Sequence, residues 1–163
     1  MEKINMPVIS PVQYDAVDSG FIRKTIKWLT YTRRWEMMED WYFTMQDGTT
    51  VLIPKGFIFD GASVPKIMRS LLSPTGVLFL AGIIHDYAYK YNKLISADFD
   101  IHGRRTLTDY HPNAGKLFWD GVFCDVAKQT NKLKVIDSAS YYMLACFGFF
   151  AWNGHRRKEK VKH

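Results

Sequence analysis

Two groups of polar side chains are placed where they could do chemistry: a His85-Asp86 pair inside an apolar run, and Asp60 with Ser63 just after another. Leu80, Ile83, Ile84, Tyr87 and Tyr91 recur at i, i+3, i+4, i+7 and i+11, the apolar stripe of a helix facing a core. His85 lies one residue step off that stripe, roughly 100° around the axis, on a face shared with Ala81, Gly82 and Tyr89. The small residues one turn back leave room beside the imidazole, and Tyr89 can meet the ring from i+4. Asp86, on the adjacent side, can ligate a cation or orient a base. Asp60 and Ser63 precede an expected helix start, where backbone amides attract an anion or a carboxylate. The chemical reading makes Asp60 and Asp86 oxygen ligands for a hard cation and His85 the base that deprotonates a water. Calcium or magnesium is the expected ion, because no thiolate or multi-histidine set is available. A Ser63-His85-carboxylate triad ranks lower, since the Gly-x-Ser-x-Gly elbow is missing. The plain alternative is a capping turn at Asp60 to Ser63 and a hydrogen-bonded core histidine at 85.

The elements that must position these groups follow from patterning. A chain of 163 residues reads as a single domain spanning 1–163. Residues 1–20 carry Pro7, Pro11 and Gly20 and suggest an extended arm. Residues 21–60 are mainly strands: one over Phe21 to Thr32, one or two over Arg34 to Met45, another over Thr49 to Pro54, and a short extended piece at Phe57-Ile58-Phe59. Asp47-Gly48 marks a hairpin turn, and Pro54 and Gly56 end the strand before them or place it at an edge. Residues 64–152 are mainly helical, with a short piece over Lys66 to Leu72 and longer helices over Val77 to Lys93, Ala114 to Thr130 and Val135 to Trp152. Leu117, Phe118, Gly121, Val122 and Asp125 fall on neighbouring turns of the third of these. Residues 94 to 113, rich in Ser, Asp, Thr, Gly and Pro, read as a polar loop. The fold expected is therefore α+β, with strands first and helices after: a small N-terminal antiparallel sheet packed against about three main helices.

Composition bounds the function. The net charge of +6 owes much to a basic tail over 153–163, with Arg156, Arg157, Lys158, Lys160 and Lys162. Such a tail is most often solvated, but it can contact nucleic acid or an anionic surface. Cys124 and Cys146 lack C-x-x-C spacing, so neither a zinc site nor a disulfide framework is indicated. No signal peptide is read at the N-terminus, and the apolar run from Ser138 to Trp152 is shorter than the ~20 residues of a membrane span. No P-loop, dinucleotide glycine motif, HExxH or EF-hand loop occurs.

The order Ile53-Pro54-Lys55-Gly56-Phe57-Ile58-Phe59-Asp60-Gly61-Ala62-Ser63-Val64-Pro65, then Pro74, then Ala81-Gly82-Ile83-Ile84-His85-Asp86-Tyr87-Ala88-Tyr89, resembles a small family of uncharacterised proteins from tailed bacteriophages and prophages. The resemblance spans roughly residues 35 to 150, with a late Phe147-Gly148. It implies a phage accessory or virion-associated protein of tail or capsid, found in the virion or the host cytoplasm, whose partners are other phage structural proteins or a host factor. Separately, the His-Asp-x-x-Tyr pattern of His85, Asp86 and Tyr89 is similar to the catalytic helix of secreted and parvoviral phospholipases A2. In those enzymes the histidine activates water, the aspartate binds calcium and the tyrosine orders the hydrogen bonds. The resemblance implies the same roles here, with Tyr87 and Tyr89 as the supporting network. Those enzymes and the phage family tend to carry Ala-Asp-x-x-Phe on a later helix, whose aspartate supports the histidine. The matching stretch is Ala114-Gly115-Lys116-Leu117-Phe118, with glycine in the acid's place, and Asp98 or Asp109 could substitute only from a loop. The glycine-rich calcium loop is absent as such, leaving Asp60-Gly61 or Thr75-Gly76 as poor stand-ins. Two functions are therefore expected: a metal-assisted, hydrolase-like pocket, or a non-enzymatic structural or interaction module.

Overall fold

The structure is a computed structural model and describes residues 5–12, 34–59, 78–131 and 152–153. Within them lie β1 (Ile9–Pro11), β2 (Trp35–Met37), β3 (Trp41–Thr44), β4 (Thr50–Ile53), β5 (Ile58–Phe59), helix α1 (Phe79–Tyr91), β6 (Leu94–Phe99), β7 (Arg105–Tyr110) and helix α2 (Lys116–Asn131). The α+β class holds. The strands form two antiparallel sheets in place of the single N-terminal sheet expected, ordered β1-β2-β5 and β3-β4-β6-β7. The described residues contain two main helices; the stretches expected to be strand at 21–32 and helix at 66–72 lie outside them, as does 135–151 of the last expected helix.

Local chemistry accounts for the first hairpin. Gly48 takes φ +84°, a left-handed conformation open to glycine, and Asp47 Oδ1 accepts the Thr49 N–H at 2.9 Å. This closes β3 onto β4 with Phe43 opposite Val51 and Trp41 opposite Ile53. Pro54 ends β4, which lies inside its sheet with β6 on its other side, so the edge alternative does not hold. The described residues of the arm, 5–12, pack on the body: β1 pairs Ile9 with Met37, and Asn5 O accepts the Trp41 Nε1–H at 2.8 Å.

The largest correction concerns residues 94 to 113, which form the hairpin β6-β7 and not a polar loop. Ser96, Asp98, Thr106 and Thr108 look like loop composition, yet they alternate with Ile95, Ala97 and Leu107 and pair in register, Ser96 with Thr108 and Asp98 with Thr106. Leu94 is fully buried, while β7 is exposed over most of its length, so its alternation carries little hydrophobic signal. Since β6 follows α1 and completes the sheet begun by β3 and β4, the chain does not divide into strands first and helices after.

Helix α1 is the centre of the core and is buried on nearly every side, with Ile83, Ile84 and Ala81 inaccessible. Val51, Ile53 and Leu94 from the four-stranded sheet, and Trp119, Phe123, Val126 and Ala127 from α2, belong to the same cluster. Burial of that much apolar surface on a 13-residue helix fixes its rotation about its axis.

Candidate active site

Helices α1 and α2 meet where each carries a polar residue in an apolar face. His85 is 5% exposed and Asp120 is fully buried. The imidazole Nε2 lies 3.2 Å from Asp120 Oδ1. The Tyr89 hydroxyl, one turn beyond His85, donates to the same oxygen at 2.5 Å. Lys116 Nζ, one turn before Asp120, donates to the other oxygen, Oδ2, at 2.6 Å. The Tyr89 ring lies beside the imidazole with centroids 3.9 Å apart, Phe123 meets it edge-on at 5.4 Å, and Trp152 packs on Tyr89 at 5.2 Å.

Asparagine 92 fixes how far one helix slides along the other. It caps α1 with φ 51°, and its N–H donates to Ala88 O at 2.7 Å. Its Oδ1 accepts the Trp119 indole N–H at 2.9 Å and the Gly115 N–H at 3.2 Å, and its carbonyl accepts the Asn113 N–H at 2.8 Å. The last residue of one helix and the first turn of the next are thus tied through one side chain. Asp120 lies one residue beyond Trp119, and that tie brings it level with His85.

Electrostatics assign the protons. Burial alone would raise the Asp120 carboxyl, but the hydrogen bonds from His85, Lys116 and Tyr89 outweigh it and hold the group below its ordinary 3.8. Ionised Asp120 only accepts, so Nε2 must carry the ring proton. Burial pushes His85 below 6.5, more than the partnership with Asp120 lifts it, and the Lys116 charge pushes the same way. The ring is therefore neutral at pH 7 with its lone pair on Nδ1. Among the described residues, Gln129 Oε1 is the one buried side-chain polar atom without a partner. Nδ1 of His85 makes no hydrogen bond to any described residue, and the residue as a whole is 5% exposed. Tyr89 is raised by burial and by the Asp120 charge, which keeps its hydroxyl a donor.

The expected site residues separate. His85 and Tyr89 come together as the spacing suggests. Asp86 is half-buried on the neighbouring side of α1, close enough for its charge to act on the Tyr89 hydroxyl. Tyr87 is not part of this network: its ring packs on Phe57 at 4.9 Å and Tyr91 at 4.6 Å, and burial pushes its hydroxyl up to about 12. Asp60 and Ser63 lie outside the described residues, so their expected convergence on His85 does too. Asp98 and Asp109 are placed on the β6-β7 hairpin, where Asp109 pairs with Lys93.

The acid beside the imidazole, which the stretch Ala114 to Phe118 lacks, is Asp120. Gly115 precedes α2 and takes φ +88°, turning the chain into the helix. Of the residues expected on one side of this helix, Phe118 and Val122 pack against the core while Leu117 is 73% exposed and Asp125 is exposed; the buried face is centred instead on Trp119, Asp120, Phe123, Cys124, Val126 and Ala127. A signal was available: Trp119, Phe123 and Val126 keep helical spacing, and Asp120 interrupts the buried side as His85 does in α1.

Among the described residues, no group of three His, Cys, Asp or Glu side chains is gathered as a metal centre. No described helix is long and apolar enough to cross a membrane. No curated protein and no solved structure matches the chain. A family model described as a protein of unknown function, DUF1353, matches residues 35–143, which contain both His85 and Asp120. With that model covering most of its length, the chain belongs to the DUF1353 family.

Proposed function

We propose that this protein is a hydrolase in which His85 Nδ1 is the general base. The observation that supports this reading is the 3.2 Å contact between His85 Nε2 and the fully buried Asp120 carboxyl, which occupies one ring nitrogen and leaves Nδ1 as the one that can take a proton. As Nδ1 takes a proton from water, the oxygen attacks an ester centre, and the imidazolium that forms is stabilised by Asp120, 3.2 Å away. The proton then passes to the leaving oxygen. Tyr89 keeps Oδ1 aimed at the ring. A phospholipid ester is the first substrate class to try, on the similarity of His85, Asp86 and Tyr89 to the phospholipase A2 helix, now with an acid in the supporting position.

Asp86 is the candidate ligand for calcium or magnesium, which would polarise the substrate oxygen. The described residues offer one such carboxylate and no full ligand set, so Asp60 or backbone carbonyls would have to complete it. Ser63 remains a candidate nucleophile of the lower-ranked triad. The phage motifs support an accessory or virion-associated role, with other phage proteins or a host factor as partners.

The second reading is a buried network in a non-enzymatic module, favoured by the 5% exposure of His85 and the rings packed against it. Hydrolysis of phospholipid, peptidoglycan and nucleotide substrates, each with calcium, magnesium or chelator, separates the two. Turnover in the parent that falls about 10²- to 10⁴-fold in His85→Asn supports the base. Absence of turnover under every condition leaves the structural reading.

A further inference from the structure

Lys116 breaks two local rules at once. It is the first residue of α2, where the helix dipole disfavours a cation, and it precedes its acid at i,i+4, the weaker order for an ion pair on a helix. Its side chain is 12% exposed, so it also gives up most of its hydration. Helix stability does not account for a lysine here. Its contact with Asp120 gives it a role: Asp120 Oδ1 already takes two donors, from His85 and Tyr89, and Oδ2 accepts from Lys116.

A carboxylate anchored at one oxygen can still turn about its Cβ–Cγ bond; anchored at both, it cannot. We propose that Lys116 is a positioning residue that pins Oδ2 of Asp120, keeps Oδ1 on His85 Nε2–H, and so holds the imidazole in the tautomer with Nδ1 free. This assignment rests on the general-base reading for its catalytic meaning, but its structural claim stands apart from any substrate. In this assignment Lys116 acts through Asp120, whose Oδ2 it holds at 2.6 Å.

The test is ¹⁵N NMR of the histidine rings in the full chain at neutral pH, with the His85 signals identified by their loss in His85→Asn. The parent should show a single Nε2–H tautomer. Lys116→Met, which keeps the stem and removes the cation, should show a mixture of tautomers, and Lys116→Arg should restore the parent pattern. If hydrolysis is found, Lys116→Met should lower kcat about 10- to 100-fold with KM little changed. An unchanged tautomer in Lys116→Met overturns the proposal even where hydrolysis persists. A shifted tautomer with no hydrolysis in any protein leaves it standing and defeats the hydrolase reading. Should Lys116→Met fail to fold, the parent decides: a hydrogen-bond scalar coupling between Lys116 Nζ and the Asp120 carboxyl carbon is expected, and its absence overturns the proposal.

Discussion

At Asp120 three donors converge on two oxygens that have no exposed surface, so any substitution there must be judged by what it leaves unpaired. Asp120→Ala removes the acceptor shared by the His85 N–H, the Tyr89 hydroxyl and a largely buried ammonium, and a loss of about 2 to 4 kcal/mol is expected from denaturant unfolding. His85→Ala should cost ~2 kcal/mol or more, through a lost partner and a cavity, with His85→Asn recovering part. An unchanged midpoint for His85→Ala would remove the ring from the stabilising network. The two groups also predict acid lability with the same sign. Below 6.5 the unfolded chain gains a proton on His85 that the folded chain refuses, so stability falls as pH drops from 6.5 toward the lower folded value. Asp120, held below 3.8, adds a second loss as pH falls through 3.8. The first loss should vanish in His85→Asn, as read from unfolding midpoints between pH 7 and 5. His85 and Tyr89 were legible in the sequence because their spacing on one helix fixes their relation. Asp120 lies 35 residues from His85, and which face of α2 it occupies depends on packing against α1 that no local pattern states.

The junction between α1 and α2 decides whether those residues meet, and among its residues in left-handed conformations Asn92 and Gly115 are joined by a hydrogen bond at the helix ends. Asn92 tolerates φ 51° better than most side chains and spends its amide on Trp119 and Gly115. Asn92→Ala should destabilise by about 2 kcal/mol, from the unpaired indole N–H and the disfavoured φ together. Asn92→Gly relieves the backbone alone, and Asn92→Asp keeps the acceptor, so the alanine variant should be the least stable of the three. Gly115→Ala isolates the backbone contribution, since nothing lies within 4 Å of the added Cβ while φ is +88°. A cost of about 1 kcal/mol is expected in unfolding experiments, and none would mean the turn relaxes. The β3-β4 hairpin was readable from Asp47-Gly48, because the signal is a conformation that few residues adopt. The β6-β7 hairpin was not, because threonines and aspartates that alternate on an exposed strand share their composition with loops. Its turn at Gly103, φ +73°, is as regular as the first.

At the scale of the whole molecule, the segment shared with the family, residues 35–143, holds both site helices and the four-stranded sheet but omits contacts that the full chain makes with them. β1 supplies the strand beside β2, with Ile9 opposite Met37, a side chain wholly inside the core. The backbone of the same arm takes the Trp41 indole N–H at Asn5 and the Met38 N–H at Val8. At the other end, Trp152 packs edge-on against Tyr89, the residue that holds Asp120 from the α1 side. A fragment limited to 35–143 would expose Met37 and Trp41, leave those donors to water, and uncover Tyr89. Burial at about 25 cal/mol per Å² makes the loss of one aromatic contact and one strand worth several kcal/mol together, a large share of the ~5 to 15 kcal/mol that holds a domain. The fragment is therefore expected to unfold at markedly lower denaturant than the full chain, and full-length Trp152→Ala should lie between them. If the fragment matches the full chain, the shared segment is self-sufficient and the flanking contacts add nothing to it. If Trp152→Ala alone reaches the fragment's midpoint, the decisive contact is the one behind Tyr89, and the site itself limits the stability of the fold.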